Sequence, residues 1–548
     1  MIKNAKVIDG TIYSNLIISG ANNLINNKNR IDALNVFPVP DGDTGTNMSN
    51  TAEAAAKALK DLQENKNLAE VSAIVSKNML LGARGNSGVI LSQIFKGFAN
   101  YFADKNEVTV LEFVQGFQSA TKRAYESVLK PVEGTILTVI RETSEQLAKN
   151  VNDETTLEQF FEMAKNYSRV ACDNTPNLLK VLREVGVVDS GGEGLVSFIT
   201  GMHSYVIGNP VQIQQVEQSI DKFISSDEVY KGEFGYCTEF IIELSKPDEF
   251  DKTAFEKHIS KFANSLVIVQ DAELIKVHGH TLKPGDMLNY GQKYGEFIKI
   301  KSENMTLQAE NSRSNRNNSV VINDVVAQGA KKCGIVSCNL GSGFINKMKE
   351  LGVDAIIECG QTQNPSVTDI LEAIKSVDAK DVFVLPNNPN IFLAAQQAAS
   401  GIFDKNVHIV PTRTQIQGIN AIIAFNSNSS SDENNELMKE VMKMVRTGEV
   451  TMAVRDTTLN GVKIKKDNFI SILDGKIISC KSSYLEAAKH LIKKAANDET
   501  EIITIYYGND ASEPDAIELV DYINRYYDCE VELVNGNQPN YHFLIGFE

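Results

Sequence analysis

The chain has 548 residues, enough for roughly three domains, with 70 Asp and Glu against 54 Lys and Arg and a formal net charge of −16. That acidity, with no dense basic stripe, argues against nucleic-acid or anionic-membrane partners, while a metal–nucleotide site stays open because bound cations offset local negative charge. Seven thinly spread cysteines with no CxxC pair do not read as a disulfide framework. No apolar run approaches the ~18 residues of a membrane span, and the polar start Met1-Ile-Lys-Asn lacks a leader pattern, so the expectation is a cytoplasmic chain without an integral membrane segment.

Residues 1–207 read as mostly helical. Thr11 is placed to cap a helix through Asn23, with Leu16, Ile17, Ile18 and Leu24 on its apolar side. Asn47–Lys60 is rich in Ala, and Ser87 precedes the helical stripe Val89, Ile90, Leu91, Ile94, Phe95 and Phe98. Thr175-Pro176 opens a helix that Gly186 stops. Residues 209–232 are polar and read as a linker. Next come a strand at Tyr236–Leu244, a helix at Asp251–Asn264, strands at Leu266–Gln270 and Leu274–His280, a short helix from Pro284 to Tyr294 and a strand at Glu296–Lys301. That β-α-β-β-α-β order predicts an α+β middle domain of ferredoxin-like type over 225–308. A second polar linker spans 309–319. From Gly334, the apolar runs Ile335–Ser337, Ala355–Glu358, Asp381–Leu385 and Val407–Val410 alternate with helical segments, which predicts an α/β domain over 330–548 with a largely parallel sheet. The last stretch adds strands at Met452–Arg455, Ile502–Tyr507 and Phe543–Gly546, and helices near 483–495 and 514–526.

Three loops in the helical region carry candidate chemistry. Pro38 and Pro40 keep the approach to Asp41-Gly42-Asp43 extended, and two carboxylates so spaced suit a hard cation such as Mg²⁺, which keeps water and phosphate oxygens as its other ligands. Gly45 offers close backbone approach and Asn47 an amide. Gly82-Ala-Arg-Gly-Asn-Ser-Gly88 runs into a helix, whose free N–H groups attract phosphate, with Arg84 as a counter-charge. Asp189-Ser-Gly-Gly-Glu-Gly194 again opens an apolar helix. Each loop alone also reads as a capping or solvated turn. No GxxxxGK[ST] occurs, and the 82–88 loop follows a helix rather than a strand, so neither a P-loop nor a Rossmann site is expected.

In the middle region Cys237 lies on the first expected strand, and His278 and His280 lie two apart on the third, so the three share a face if those strands are neighbours. Cys and His suit Zn²⁺, with Glu239 as a further ligand or proton acceptor; a buried thiol beside solvent-facing histidines is the plainer reading. Farther on, Cys359–Asp369, with Ser366 or Thr368 as helix cap, Pro386–Pro389 and Pro411–Thr414 follow strands and read as ordinary strand–helix punctuation.

Taken together, Asn35-Val-Phe-Pro-Val-Pro-Asp-Gly-Asp-Thr-Gly-Thr-Asn-Met48, the 82–88 loop with Val89-Ile-Leu-Ser-Gln93, Pro131-Val-Glu-Gly-Thr-Ile-Leu-Thr138, Asn174-Thr-Pro-Asn-Leu-Leu179 and Val188-Asp-Ser-Gly-Gly192 resemble the L-type ATP-binding domain of dihydroxyacetone kinases. The three-part organisation resembles the ATP-binding subunit of bacterial fatty acid kinase. The resemblance implies an all-α helical barrel in which Asp41 and Asp43 bind two Mg²⁺ on the phosphates of ATP. A third aspartate of that pattern is Val36 here, leaving Asn35, Asp32 or a water to replace it. Thr44, Gly45, Thr46, Asn47, Gly85, Asn86, Ser87 and Gly88 match phosphate contacts, and Thr135, Asp189 and Gly191 match segments enclosing the nucleotide. Resemblance also implies Zn²⁺ on Cys237, His278 and His280, a homodimer, a separate fatty-acid-binding carrier protein that presents the acid's carboxylate, and a C-terminal domain that serves carrier docking or dimerisation. The product is then an acyl phosphate for phospholipid synthesis. A carboxylate acceptor, already ionised with a pKa of about 4, needs no base, and none of the seven histidines lies between 35 and 195. Two alternatives stand beside this: a kinase for a small hydroxylated metabolite such as dihydroxyacetone, and a nucleotide-binding scaffold without catalysis.

Overall fold

Asp9, not Thr11, opens the first helix: its carboxylate accepts the Ile12 amide at 2.7 Å, and α1 runs Gly10–Asp32. The helix continues past the expected end at Asn23 because Leu24 and Ile31 extend the buried stripe. The computed structural model describes residues 2–35, 42–60, 62, 67–213, 236–271, 274–304, 320–322, 331–359, 364–459 and 461–548. Most of the 209–232 linker and all of 309–319 lie outside these.

After α1 come α2 (Thr44–Lys60) and α3 (Leu68–Leu81), which pack against it, and then α4 (Gly85–Phe102), α5 (Val110–Glu126), α6 (Ile136–Asn150) and α7 (Leu157–Asp173). Two short segments follow, α8 (Thr175–Leu178) and α9 (Lys180–Val185), and then α10 (Ser190–Val206). The single helix expected from Thr175 is broken at Leu179, whose backbone is extended (φ −118°, ψ 111°), while Gly186 ends α9 in the left-handed region (φ 76°). Thr109 and Thr156 open α5 and α7 with reciprocal caps from Glu112 and Gln159. Phenylalanines fill the centre; Phe98 lies 5.0 Å from Phe117 and Phe160 lies 5.1 Å from Phe161, both edge to face. Strands β1 (Val7–Asp9) and β2 (Glu107–Thr109) pair antiparallel at the edge of this region.

α1 and α10 pack so closely that small residues are required between them. Ser19 Oγ donates to the Gly201 carbonyl at 2.6 Å, and a Cβ on Gly201 would stand 2.4 Å from the Ser19 carbonyl and 2.8 Å from Gly20 Cα.

Residues 215–319 form a unit of their own. Its strands β3 (Tyr236–Leu244), β4 (Asn264–Asp271), β5 (Leu274–Thr281) and β6 (Gly295–Asn304) make one antiparallel sheet in the order β4-β5-β3-β6, with helices α11 (Lys252–Ile259) and α12 (Pro284–Gly291). The helix expected to reach Asn264 stops at Ile259, and Asn264 already belongs to β4. Phe240, Ile242, Ile275 and Val277 alternate into the core with Phe255, Ile259 and Met287.

Residues 1–214 and 320–548 form the other unit. Its C-terminal region is α/β. Strands β7 (Val320–Ile322), β8 (Lys331–Asn339), β9 (Ala355–Glu358), β10 (Ala379–Leu385) and β11 (Asn406–Ile409) build a sheet in the order β11-β10-β8-β9-β7, parallel except for β7. Helices α13 (Ser342–Glu350), α14 (Val367–Ser376), α15 (Phe392–Ser400), α16 (Gln415–Ile423) and α17 (Ser431–Met444) belong to it. The expectation of a largely parallel sheet fails for the remainder. Here β12 (Arg446–Met452), β15 (Phe469–Leu473), β16 (Lys476–Lys481), β17 (Ile502–Tyr507), β18 (Glu530–Asn535) and β19 (Tyr541–Phe547) order as β16-β15-β12-β19-β17-β18, and only β17 and β18 run parallel. A small hairpin, β13 (Thr457–Leu459) with β14 (Val462–Ile464), and helices α18 (Tyr484–Ala495) and α19 (Glu513–Tyr526) complete the region. The strand expected at Met452–Arg455 instead runs Arg446–Met452, where neighbouring strands pair with it on both sides. Ala83 and Val89 of the helical region share a core with Val367, Ile370 and Ala394, so the two ends of the chain are packed as one body.

Gly201→Val should destabilise the protein by about 1–3 kcal/mol, since the clash is with backbone that cannot yield. A thermal melt of the full chain with unchanged Tm refutes that packing argument.

Candidate functional site

The N-termini of α2, α4, α6 and α10 meet at a cleft of ≈ 380 Å³, whose lining includes Asp43, Thr44, Asn47, Asn86, Ser87, Lys130, Thr135, Asp189 and Gly191. Amides at helix starts and the aligned peptide dipoles make such a cleft attractive to anions.

Asp32 builds the first wall. Its carboxylate accepts the Gly45 amide at 2.6 Å, the Thr46 amide at 3.1 Å and the Thr46 hydroxyl at 2.8 Å. Both oxygens are thus engaged by the first turn of α2, and Asp32 is not in the cleft lining. Asn35, the other replacement, does line the cleft, with its Oδ1 accepting from Thr44 Oγ1 at 2.8 Å. Gly45 is needed because a Cβ there would lie 2.2 Å from the Lys28 carbonyl on α1. Asp43, directly before α2, is 7% exposed and accepts from the Asn364 amide at 2.6 Å. Asp41 lies outside the described residues.

Asn47 is 2% exposed, yet its Oδ1 has no hydrogen-bond partner among the described residues, and the same holds for Asn86 Oδ1. Buried acceptors left without partners are costly and uncommon. A carboxylate and two amide side chains among the residues lining one cleft make a hard-oxygen donor set suited to Mg²⁺ and its water or phosphate ligands. Gly85 has φ 57°, and a Cβ there would sit 2.4 Å from Asn47 Nδ2. Gly45, Thr46, Gly85 and Gly88 are not in the lining; the three glycines let the turns behind it close up, and Thr46 donates to Asp32.

Arg84 does not supply the expected counter-charge to the cleft. Its guanidinium donates to the Asn364 carbonyl at 2.6 Å and lies 3.7 Å from Asp369, so it is drawn to the C-terminal region instead. Lys130, in the turn between α5 and α6, is the cation in the lining. A lone loop lysine gave no signal in the sequence. Asn390, which follows β10, also lines the cleft and is equally unmarked, being ~350 residues from Asp43 along the chain.

Thr135 caps α6, receiving the Leu137 amide at 3.4 Å and donating to the Val132 carbonyl at 2.8 Å. Asp189 caps α10 through the Gly192 amide at 2.7 Å, and its own amide donates to Thr175 Oγ1 at 3.0 Å. Burial pushes its pKa up to about 6, although amide hydrogen bonds from Gly192 and Ile136 pull the other way. Glu193 on α10 sits 2.6 Å from both Arg30 of α1 and Arg169 of α7. Burial pushes its carboxyl up, but hydrogen bonds from Arg169 and Arg30 win and hold it below the usual carboxylate range.

Among the described residues no group of three or more His, Cys, Asp and Glu could hold a metal ion. The side chains of Cys237, Glu239, His278 and His280 lie outside the described set. Their backbone positions are fixed: β3 and β5 are neighbours, with Cys237 opposite His280 and Glu239 opposite His278. No helix among the described residues is long and apolar enough to cross a membrane.

Residues 38–204 match the DAK2 domain, 233–312 the middle domain of the FakA-like fatty acid kinase family, and 334–548 the C-terminal domain of that same family. Protein YloV of Bacillus subtilis is 40% identical over 554 residues, covering 99% of this chain and 100% of its own length. The chain belongs to the FakA-like fatty acid kinase family. Looser likenesses link this family member to a fatty-acid-binding DegV family protein from Thermus thermophilus (TM-score 0.29, 14% identity, covering 40% of this chain and 99% of that one). Another is to the dihydroxyacetone kinase of C. freundii in complex with AMP-PNP and Mg²⁺ (TM-score 0.29, 20% identity, 36% of this chain and 34% of that one).

The raised pKa of Asp189 has a definite sign. The folded state binds its proton more tightly than the unfolded chain, so the stability it contributes is full below the ordinary value of 3.8 and is lost as pH rises through about 6. Asp189→Asn, which keeps the cap acceptor, should therefore raise Tm relative to the parent at pH 7, with the gap closing below pH ~4. A gap that does not change with pH contradicts the assignment.

Proposed function

We propose that this chain is an ATP-dependent kinase that phosphorylates the carboxylate of a fatty acid presented by a separate lipid-binding carrier protein, giving acyl phosphate for phospholipid synthesis. The observation that carries the reading is the buried Asp43 beside the unpartnered amide oxygens of Asn47 and Asn86, in a cleft walled by helix N-termini. Membership of the FakA-like fatty acid kinase family supports the acceptor class.

On this reading Asp41 and Asp43 hold two Mg²⁺, with Asn47 and Asn86 completing the oxygen-rich surface. Bound Mg²⁺ would neutralise the phosphate charge that otherwise repels an anionic acceptor. Thr44, Ser87 and the amides of the α2 and α4 first turns orient the phosphates. Thr135, Asp189 and Gly191 enclose the nucleotide, and Lys130 takes the counter-charge role expected of Arg84. An ionised carboxylate needs no proton removed, so the residues' task is to position two anions and keep their repulsion low. The same reading makes the N-terminal helices a nucleotide-binding barrel and the middle unit ferredoxin-like. It makes the C-terminal domain a carrier-docking region, and the protein a cytoplasmic homodimer.

Labelled ATP, offered with and without a lipid-loaded carrier, tests this directly. Transfer should require the carrier, and Asp43→Ala should lower it by about 100-fold or more while the thermal melt is retained. Transfer to free dihydroxyacetone instead would favour the small-metabolite reading that the DAK2 match keeps open. Nucleotide binding with transfer to neither would mark a scaffold.

The β3–β5 register supports Zn²⁺ as a second metal, on Cys237, His278 and His280 with Glu239 alongside. Elemental analysis of the full chain should find about one zinc per chain, lost in a Cys237→Ser, His280→Ala double variant. Equal zinc in parent and variant removes the site.

A further inference from the structure

One residue touching Asp43 comes from the C-terminal region, more than 300 residues along the chain. Asn364 lies in the β9–α14 connection, is 5% exposed, and donates from Nδ2 to Asp43 Oδ2 at 2.6 Å. Its placement is fixed from several sides. Arg84 donates to its carbonyl at 2.6 Å, the Val367 amide donates to the Ala83 carbonyl at 3.1 Å, and Thr368 Oγ1 donates to the Leu81 carbonyl at 3.0 Å. Residues 81–84 and 364–368 are thereby zipped together, with a backbone bridge between Arg84 and Ser366. Gly85 makes room for the amide, since a Cβ there would lie 3.2 Å from Asn364 Nδ2. On the other flank of the Asp41–Asp43 segment, Arg455 donates to the carbonyls of Asn35 and Ala33, the latter at 3.1 Å.

An amide is a particular choice of donor for a carboxylate. It fixes the direction of one lone pair and favours the ionised form, yet adds no positive charge to oppose a cation on the same group. A lysine or arginine in its place would neutralise the carboxylate and compete with the metal. Partners that orient a ligand in this way commonly govern metal affinity. We infer that Asn364 is a positioning residue of the cation site, through which the C-terminal region sets how tightly Asp43 holds a divalent ion. The inference rests on the reading of Asp43 as a cation ligand. It makes the site a product of both ends of the chain rather than of the helical region alone.

The test is Mn²⁺ binding to the full chain, monitored by electron paramagnetic resonance with a non-hydrolysable ATP analogue present. Nucleotide binding without metal and a thermal melt are measured alongside. Asn364→Ala and the shorter donor Asn364→Ser should weaken Mn²⁺ by about 10–100-fold while metal-free nucleotide binding and Tm hold. Gln397→Ala is the control: it removes an acceptor 3.4 Å from Gln93 Nε2 in the same interface, away from Asp43, and should leave Mn²⁺ affinity unchanged. Parent-like Mn²⁺ affinity in both Asn364 variants overturns the inference and leaves the kinase reading intact. Equal weakening in Gln397→Ala also overturns it, since general docking would then be the cause. A parent chain that binds neither Mn²⁺ nor nucleotide overturns the kinase reading itself.

Discussion

Everything at the cleft follows from how the first turn of α2 is held. Asp32, in the last turn of α1, receives two amides and a hydroxyl from that turn, and the missing side chain at Gly45 lets it press against the α1 backbone. An acidic cap here satisfies donors that the helix leaves unpaired and complements its dipole. With the turn fixed, Asp43 enters the cleft beside Asn47, and the start of α4 can close in only because Gly85 has no Cβ. The order of dependence is therefore cap, then close approach, then the juxtaposition of carboxylate and amides.

The opposite wall depends on α10. Its Gly-rich opening is tied down by Asp189 as cap and by Glu193 between Arg30 and Arg169. Breaking a buried ion pair by removing one partner is more harmful than never having had it. Arg30 belongs to the same helix as Asp32, so α1 braces both walls.

Much of the fold was legible because the patterns are local. The strand at Tyr236–Leu244 alternates and that at Ile502–Tyr507 is a short apolar run, and the bounds of both agree with the sequence reading. The stripe from Val89 to Phe98 does lie within one helix. Where the reading failed, a non-local partner decided the outcome. β12 begins at a Gly-containing stretch that becomes a strand only because neighbours pair on both sides. At the site, the Asp/Gly and Gly/Asn loops were visible as motifs. Arg84 was misassigned because nothing nearby in sequence announces Asp369 and the Asn364 carbonyl as its partners. Lys130 and Asn390 carry no motif, and Asn364 falls in a segment that reads as plain strand–helix punctuation; only the three-dimensional packing brings the first two to the cleft and Asn364 against Asp43.

Residues 1–214 and 320–548 form one unit, joined where Ala83 and Val89 enter a C-terminal core, while 215–319, which lie between them in the chain, fold as a separate unit. In topological terms the central portion is a guest whose host closes without it. Its sheet and helices have their own apolar interior, so the selective pressures on guest and host are separable. A single in-frame exchange in the gene can therefore swap one cassette for another and leave the cleft of the host to be inherited whole.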